Sequence, residues 1–154
     1  MVFSVKSVLS VSKKRLKKHS LMDCHFDLEE YNMTEHPTNI TANKKTRELT
    51  IVWDDAHTSV YPFDLLRAAC PCASCRGGHE NMKPEPDPNV FVLKMAESPS
   101  TRLANVVKTG SYALTLVWED GHDYGIYNWH YLRALCPCEE DRKKFGNAGE
   151  QKND

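Results

Sequence analysis

A segment of 24 residues occurs twice in this chain, and both copies end in a cysteine pair. Residues 49–72 read LTIVWDDAHTSVYPFDLLRAACPC, and residues 114–138 read LTLVWEDGHDYGIYNWHYLRALCPC. With Ile126 taken as a one-residue insertion, 13 of the 24 aligned positions are identical, including Trp53/Trp118, Asp55/Asp120, His57/His122, Leu66/Leu132, Arg67/Arg133, Cys70/Cys136 and Cys72/Cys138. Internal repetition constrains the fold before any single motif is trusted, because each copy is one supersecondary unit that needs a neighbour to bury its apolar side. Histidine and cysteine, both ligands of soft metal ions, recur in register.

Within the first copy, residues 48–53 alternate β-branched or aromatic side chains with polar ones, which predicts a strand. Residues 54–57 form a turn and 58–61 the returning strand. Pro62 suits the first turn of a helix whose apolar side is Phe63, Leu65, Leu66 and Ala69. Proline in the Cys70-Pro71-Cys72 loop ends that helix. Residues 77–89 contain two glycines and three prolines and read as an exposed connector. Short strands are predicted over 90–95 and 102–108. The second copy then gives strands over 112–118 and 124–127 and a helix over 129–135. The expected fold is α+β: two β-hairpin–helix repeats with approximate two-fold symmetry, as small antiparallel sheets packed with short helices. A lone hairpin is marginal in water, so the copies should pack together through their Trp, Leu and Tyr side chains.

The folded domain is expected over 37–140, followed by a flexible tail over 141–154. Residues 1–36 read as a disordered or mis-assigned extension, with no fixed structure up to about Thr46. The first 22 residues carry six bases (Lys6, Lys13, Lys14, Arg15, Lys17, Lys18) and no acid, leaving 14 bases against 21 acids in the rest. A Ser-rich, basic, acid-poor start has the composition of an organelle transit peptide. The other readings are translation from Met22 or Met33, or a basic arm. The acidic remainder argues against a nucleic-acid-binding core, since phosphate contacts need a basic face. No apolar run reaches the ~18 residues of a membrane span. A cytoplasmic location is expected, with organelle import if the basic segment is used.

Of six cysteines, Cys24 lies outside the repeated region, and the other five are clustered. Cysteines separated by one residue rarely reach disulfide geometry, so without an export signal a metal in a reducing compartment is the better reading. Cys70-x-Cys72-x2-Cys75 places three soft donors in six residues. Zinc takes four ligands in a tetrahedron, and the fourth is either His79, nearby in sequence, or His122, from the hairpin turn of the second copy. The bland alternative is three reduced free thiols.

The run LLRAACPCASCRGG, with GSYALTLVWEDGHDYGIYNWHYLRALC, resembles the gamma-butyrobetaine hydroxylase-like N-terminal domain family over roughly residues 37–138. That domain also occurs as a stand-alone bacterial protein. The resemblance implies a zinc ion held by Cys70, Cys72, Cys75 and His122. It also implies that the fold does not depend on the metal, because members without these cysteines exist. The domain is appended to some nucleotide-binding iron–sulfur scaffold proteins, which keeps iron or an iron–sulfur cluster as the alternative cofactor. If the first cluster takes its histidine from the opposite copy, the repeat points His57 toward Cys136 and Cys138. Asp141 then stands where Cys75 does, giving a degenerate second set: His57, Cys136, Cys138 and Asp141.

No catalytic residues are expected. Phosphate loops, a nucleophile elbow and a dinucleotide fingerprint are absent from the sequence. His25-Phe26-Asp27 has the spelling of part of an iron-oxygenase triad, but it lies in the N-terminal extension and reads as chance. A four-coordinate Cys3His site is closed and would not activate water. Trp53, Trp118 and Trp129 are read as core rather than as a ligand groove. Arg67 and Arg133 either stabilise nearby thiolates or pair with Asp55 and Asp120. The function expected is a small metal-binding accessory domain, acting through an unidentified protein partner and not by catalysis. The alternatives are an iron–sulfur carrier or assembly factor, or an oxygenase subunit completed by a separate catalytic chain.

Overall fold

The structure, a computed structural model, describes residues 2–5 and 35–146, and it is α+β. Among the described residues there are seven strands: β1 (Val2–Val5), β2 (Pro37–Asn43), β3 (Glu48–Trp53), β4 (Thr58–Pro62), β5 (Leu103–Thr109), β6 (Ala113–Trp118) and β7 (Ile126–Asn128). They make a four-stranded antiparallel sheet in the order β1-β2-β3-β4 and a three-stranded antiparallel sheet in the order β5-β6-β7. Four short helices follow the sheets: α1 (Phe63–Ala68) and α2 (Ala73–Arg76) after the first, α3 (Trp129–Ala134) and α4 (Glu139–Gly146) after the second.

Alternation in the sequence accounts for the central strands. In β3 the buried side chains are Leu49, Ile51 and Trp53; in β6 they include Leu114, Leu116 and Trp118. Side chains on a strand point to opposite faces in turn, so each sheet has one apolar face. These faces, with Phe63, Leu66, Leu132 and Leu135 of the helical segments, form one continuous core. Tyr61 and Tyr127 join the halves reciprocally. Tyr61 Oη donates to the Leu132 carbonyl at 2.7 Å, and Tyr127 Oη donates to the Leu66 carbonyl at 2.8 Å. Each phenol thus satisfies a buried carbonyl in the other half. All three tryptophans are buried, as expected of core residues.

Register equates the two copies residue by residue. Leu49 pairs with Tyr61 as Leu114 pairs with Tyr127, and Thr50 pairs with Val60 as Thr115 pairs with Ile126. Ile126 is therefore the counterpart of Val60, and the inserted residue lies earlier, in the turn at Asp123–Tyr124. Both β2 and β5 also carry an irregularity in pairing, between Pro37 and Asn39 and between Leu103 and Asn105.

Three further segments differ from the sequence reading. Residues 37–43, expected to lack fixed structure, form β2, whose position is set by its ladder with β3 rather than by its own weak pattern. Residues 90–95, expected as a strand, begin inside a 3-10 turn (Pro88–Phe91) that Asp87 caps by accepting the Asn89 N–H, leaving Val92 and Leu93 exposed. The chain after Cys138, read as frayed, enters α4. Pro62 closes β4 and stands just before α1. The His25-Phe26-Asp27 spelling, Cys24 and most of the basic N-terminal segment lie outside the described residues. Among the described residues, no helix is long and apolar enough to cross a membrane.

Candidate metal centres

The first cluster assembles Cys70, Cys72, Cys75 and His122 from both halves. Cys70 and Cys72 sit in the loop after α1, where Pro71 prevents the helix from continuing. Cys72 is the N-cap of α2, its sulfur accepting the Cys75 backbone N–H at 3.3 Å. One turn of helix then swings Cys75 back beside the pair, and Gly77, at φ 74°, ends the turn in the left-handed region that favours glycine.

His122 arrives on the β6–β7 connection. Its backbone N–H donates to Asp120 Oδ1 at 3.0 Å, and its carbonyl accepts the Trp118 N–H at 3.0 Å. Nε2 of His122 lies 3.3 Å from Cys70 Sγ, 3.6 Å from Cys72 Sγ and 3.8 Å from Cys75 Sγ. All four ligand atoms lie within 4.8 Å of one another. Zinc–sulfur and zinc–nitrogen bonds of about 2.3 and 2.0 Å at a tetrahedral angle would separate N from S by roughly 3.5 Å. The residues present therefore fit a four-coordinate ion. His79, the other candidate for fourth ligand, lies in a separate 3-10 turn (His79–Asn81) and is not in the cluster.

One guanidinium stands beside this cluster. Arg67 Nη1 donates to Cys75 Sγ at 3.1 Å, and its Nη2 lies 3.5 Å from Asp120 Oδ2. This arginine thus lies against both a cysteine sulfur and Asp120. Burial pushes the Cys70 thiol well above its ordinary range. Burial would raise Cys72 too, but the N–H groups of Cys75 and Ser74 and its sulfur neighbours hold it below the ordinary value. His122 is shifted down, first by burial and then by the Arg67 charge, which favours the neutral ring that ligates a metal.

The second cluster brings His57 to Cys136, Cys138 and Asp141, with ligand atoms again within 4.8 Å of one another. Its construction repeats the first. Cys138 Sγ accepts the Asp141 backbone N–H at 3.3 Å, and Asp55 Oδ1 accepts the His57 N–H at 3.0 Å. Arg133 reaches Asp55 at 2.9 Å and Asp141 at 3.3 Å.

Two contributors are not legible as ligands. Gly125 lies against Cys70, where an added Cβ would stand 2.8 Å from the sulfur. Its counterpart Ser59 is fully buried and accepts the Trp53 Nε1–H at 2.8 Å. The only sequence signal was that the repeat is not identical at this position.

A profile of the family described as gamma-butyrobetaine hydroxylase-like, N-terminal, matches residues 40–133. The chain belongs to this family. A crystal structure of a protein of unknown function of the DUF971 family, from Acidithiobacillus ferrooxidans, is similar at 30% identity, covering 66% of this chain and 93% of that one, with a TM-score of 0.48. An NMR solution structure is similar at 23% identity over 80% of this chain and 88% of its own, and its TM-score of 0.53 shows a shared fold. A second NMR structure, at 24% identity, covers 77% of this chain and 90% of its own with a TM-score of 0.47. No match was found among curated proteins.

Proposed function

We propose that this member of the gamma-butyrobetaine hydroxylase-like N-terminal family is a metal-binding accessory domain, with zinc held by Cys70, Cys72, Cys75 and His122. It would act by contact with a protein partner and carry no catalysis of its own. The observation that carries this reading is the convergence of three sulfurs and one imidazole nitrogen at spacings close to the edges of a zinc tetrahedron. A single ring N–H can satisfy one sulfur, whereas one cation satisfies all four donors together.

The two halves are, in this reading, related by an approximate two-fold axis, and the ion pins the sulfur loop of one half to the hairpin of the other. When bound, zinc in a closed set supplies cross-linking rather than an activated water. Cys72 caps α2 and so fixes where Cys75 turns back. Asp120 sets the hairpin backbone that aims His122, and Arg67 offsets excess thiolate charge. The interaction role is supported by exposed apolar side chains beside the cluster: Met82, Tyr124 and Ile126 rim a cleft that also includes Cys72.

The test is elemental analysis and a visible spectrum on full-length protein purified without air or added metal. Colourless protein with bound zinc that Cys72→Ser diminishes by one equivalent supports the assignment. Iron with sulfide and a brown colour would overturn it in favour of an iron–sulfur carrier.

A further inference from the structure

The second cluster has no use in the function proposed above, yet its geometry asks for a ligand. His57 Nε2 lies 3.0 Å from Asp141 Oδ2, 3.4 Å from Cys136 Sγ and 3.7 Å from Cys138 Sγ. One hydrogen on that nitrogen can be given to one of the three. Asp141 is only 1% exposed, and its Oδ2 is buried without a hydrogen bond of acceptable geometry. A buried carboxylate oxygen left in that state is costly unless a cation or donor faces it. Arg133 lies on one side, with Nε 3.3 Å away but likewise lacking a well-formed hydrogen bond. The other side is the space shared with the two sulfurs and the imidazole.

We propose that His57, Cys136, Cys138 and Asp141 are a second metal site, taking a divalent ion of the zinc type in a Cys2HisAsp set. Carboxylate, imidazole and thiolate are all zinc ligands, and the nitrogen's distances to its three neighbours bracket those expected around a tetrahedral ion of about 2.0–2.3 Å bond length. The surroundings of the donors are those of the first cluster, group for group. Arg133 faces the fourth ligand, Asp141, as Arg67 faces Cys75. A backbone N–H binds the sulfur of the middle cysteine in both. An aspartate two residues before the histidine accepts its backbone N–H in both. Outer contacts of this kind orient ligands and tune their basicity, and here they are present in full.

The exchange of a thiolate for a carboxylate sets the preference of the site. Oxygen is the harder donor, so soft ions are held less tightly than in a Cys3His set, and the second ion leaves first under a chelator. The site stands independently of the first, since the two share no ligand.

The experiment is titration of the reduced, chelator-stripped full-length protein with Zn2+ and with Co2+ under anaerobic conditions. The expected result is two equivalents per chain, falling to one in His57→Ala, in Asp141→Asn and in Cys72→Ser. The ion retained by Cys72→Ser should show weaker cobalt–thiolate absorption than the ion retained by Asp141→Asn, because it has two sulfurs rather than three. Saturation of the parent at one equivalent overturns the proposal, and that measurement depends on no variant folding. Retention of both ions by Asp141→Asn and His57→Ala would overturn it as well.

Discussion

The two clusters share a pattern of backbone hydrogen bonds and differ in what the side chains add. Cys75 in one is Asp141 in the other, and Gly125 beside Cys70 is Ser59 beside Cys136. The second difference reaches into the core: Trp53 Nε1 is bonded to Ser59, whereas Trp118 Nε1 is buried with no partner among the described residues. A close-packed half therefore tolerates an unpaired indole N–H beside one cluster, where glycine leaves room for a sulfur, and satisfies it beside the other. Local packing and donor chemistry differ together between the clusters, while the strand pairings beside them match.

The largest expected effect of breaking this comparison is at the first cluster. Cys72→Ser removes a ligand and the cap of α2, and should lose one metal equivalent and lower Tm by about 10 °C, equivalent to roughly 2 kcal/mol in a domain of this size. Calorimetry with metal analysis checks it; an unchanged metal content would sink the assignment. Gly125→Ala comes next. Its Cβ would stand 2.8 Å from Cys70 Sγ and 2.9 Å from Tyr127 Cε2, so the sulfur or the buried ring must move, at a cost of about 1–3 kcal/mol. The same change should weaken metal retention by the first cluster and leave the second alone, readable by competition with a chromophoric chelator.

The converse substitution, Ser59→Ala, leaves Trp53 Nε1 in the state that Trp118 Nε1 already occupies. We expect a loss of about 1–2 kcal/mol in denaturant unfolding. Tyr61→Phe and Tyr127→Phe should each cost about 1 kcal/mol, and by similar amounts, because each deletes one bond to a carbonyl in the opposite half. A clear inequality between the two would show that the halves do not share the load evenly.

The smallest effect at neutral pH is the alkaline limit. Burial raises the phenols of Tyr61 and Tyr127 well above their ordinary value, and that of Tyr131 to about 12. The unfolded chain ionises these groups near 10, so their contribution is fully present below that pH and is lost as pH rises toward 12 and beyond. Unfolding midpoints measured from pH 8 to 11.5 should fall above pH 10, and less steeply in Tyr61→Phe.

Which parts of this were readable in the sequence follows from where the physics is local. Strands β3 and β6 alternate cleanly because one face of each is buried, and the matching ends of α1 and α3 were visible from their apolar side and the prolines after them. Strand β2 was not visible: of its seven residues only Ala42 is buried, and its hydrogen-bonding partner lies across a turn. Helix α4 was hidden by a polar composition; Asp141, buried within it, was legible only through its register with Cys75. The ligand set was readable because cysteine and histidine recur at fixed positions. The positions that distinguish the two clusters, Ser59 and Gly125, touch the sulfurs in space but are remote from them in the chain.

Each cluster draws its sulfurs from one half and its imidazole from the other, so neither half can complete a centre alone. A half of this design standing as a separate polypeptide would have to pair with a second copy, and every substitution would then be written into both centres at once. Joined in one chain, the halves escape that rule: a thiolate can become a carboxylate on one side while the other keeps its sulfur. On the proposed reading of both clusters, covalent linkage would give the molecule two independently adjustable affinities within one packed core.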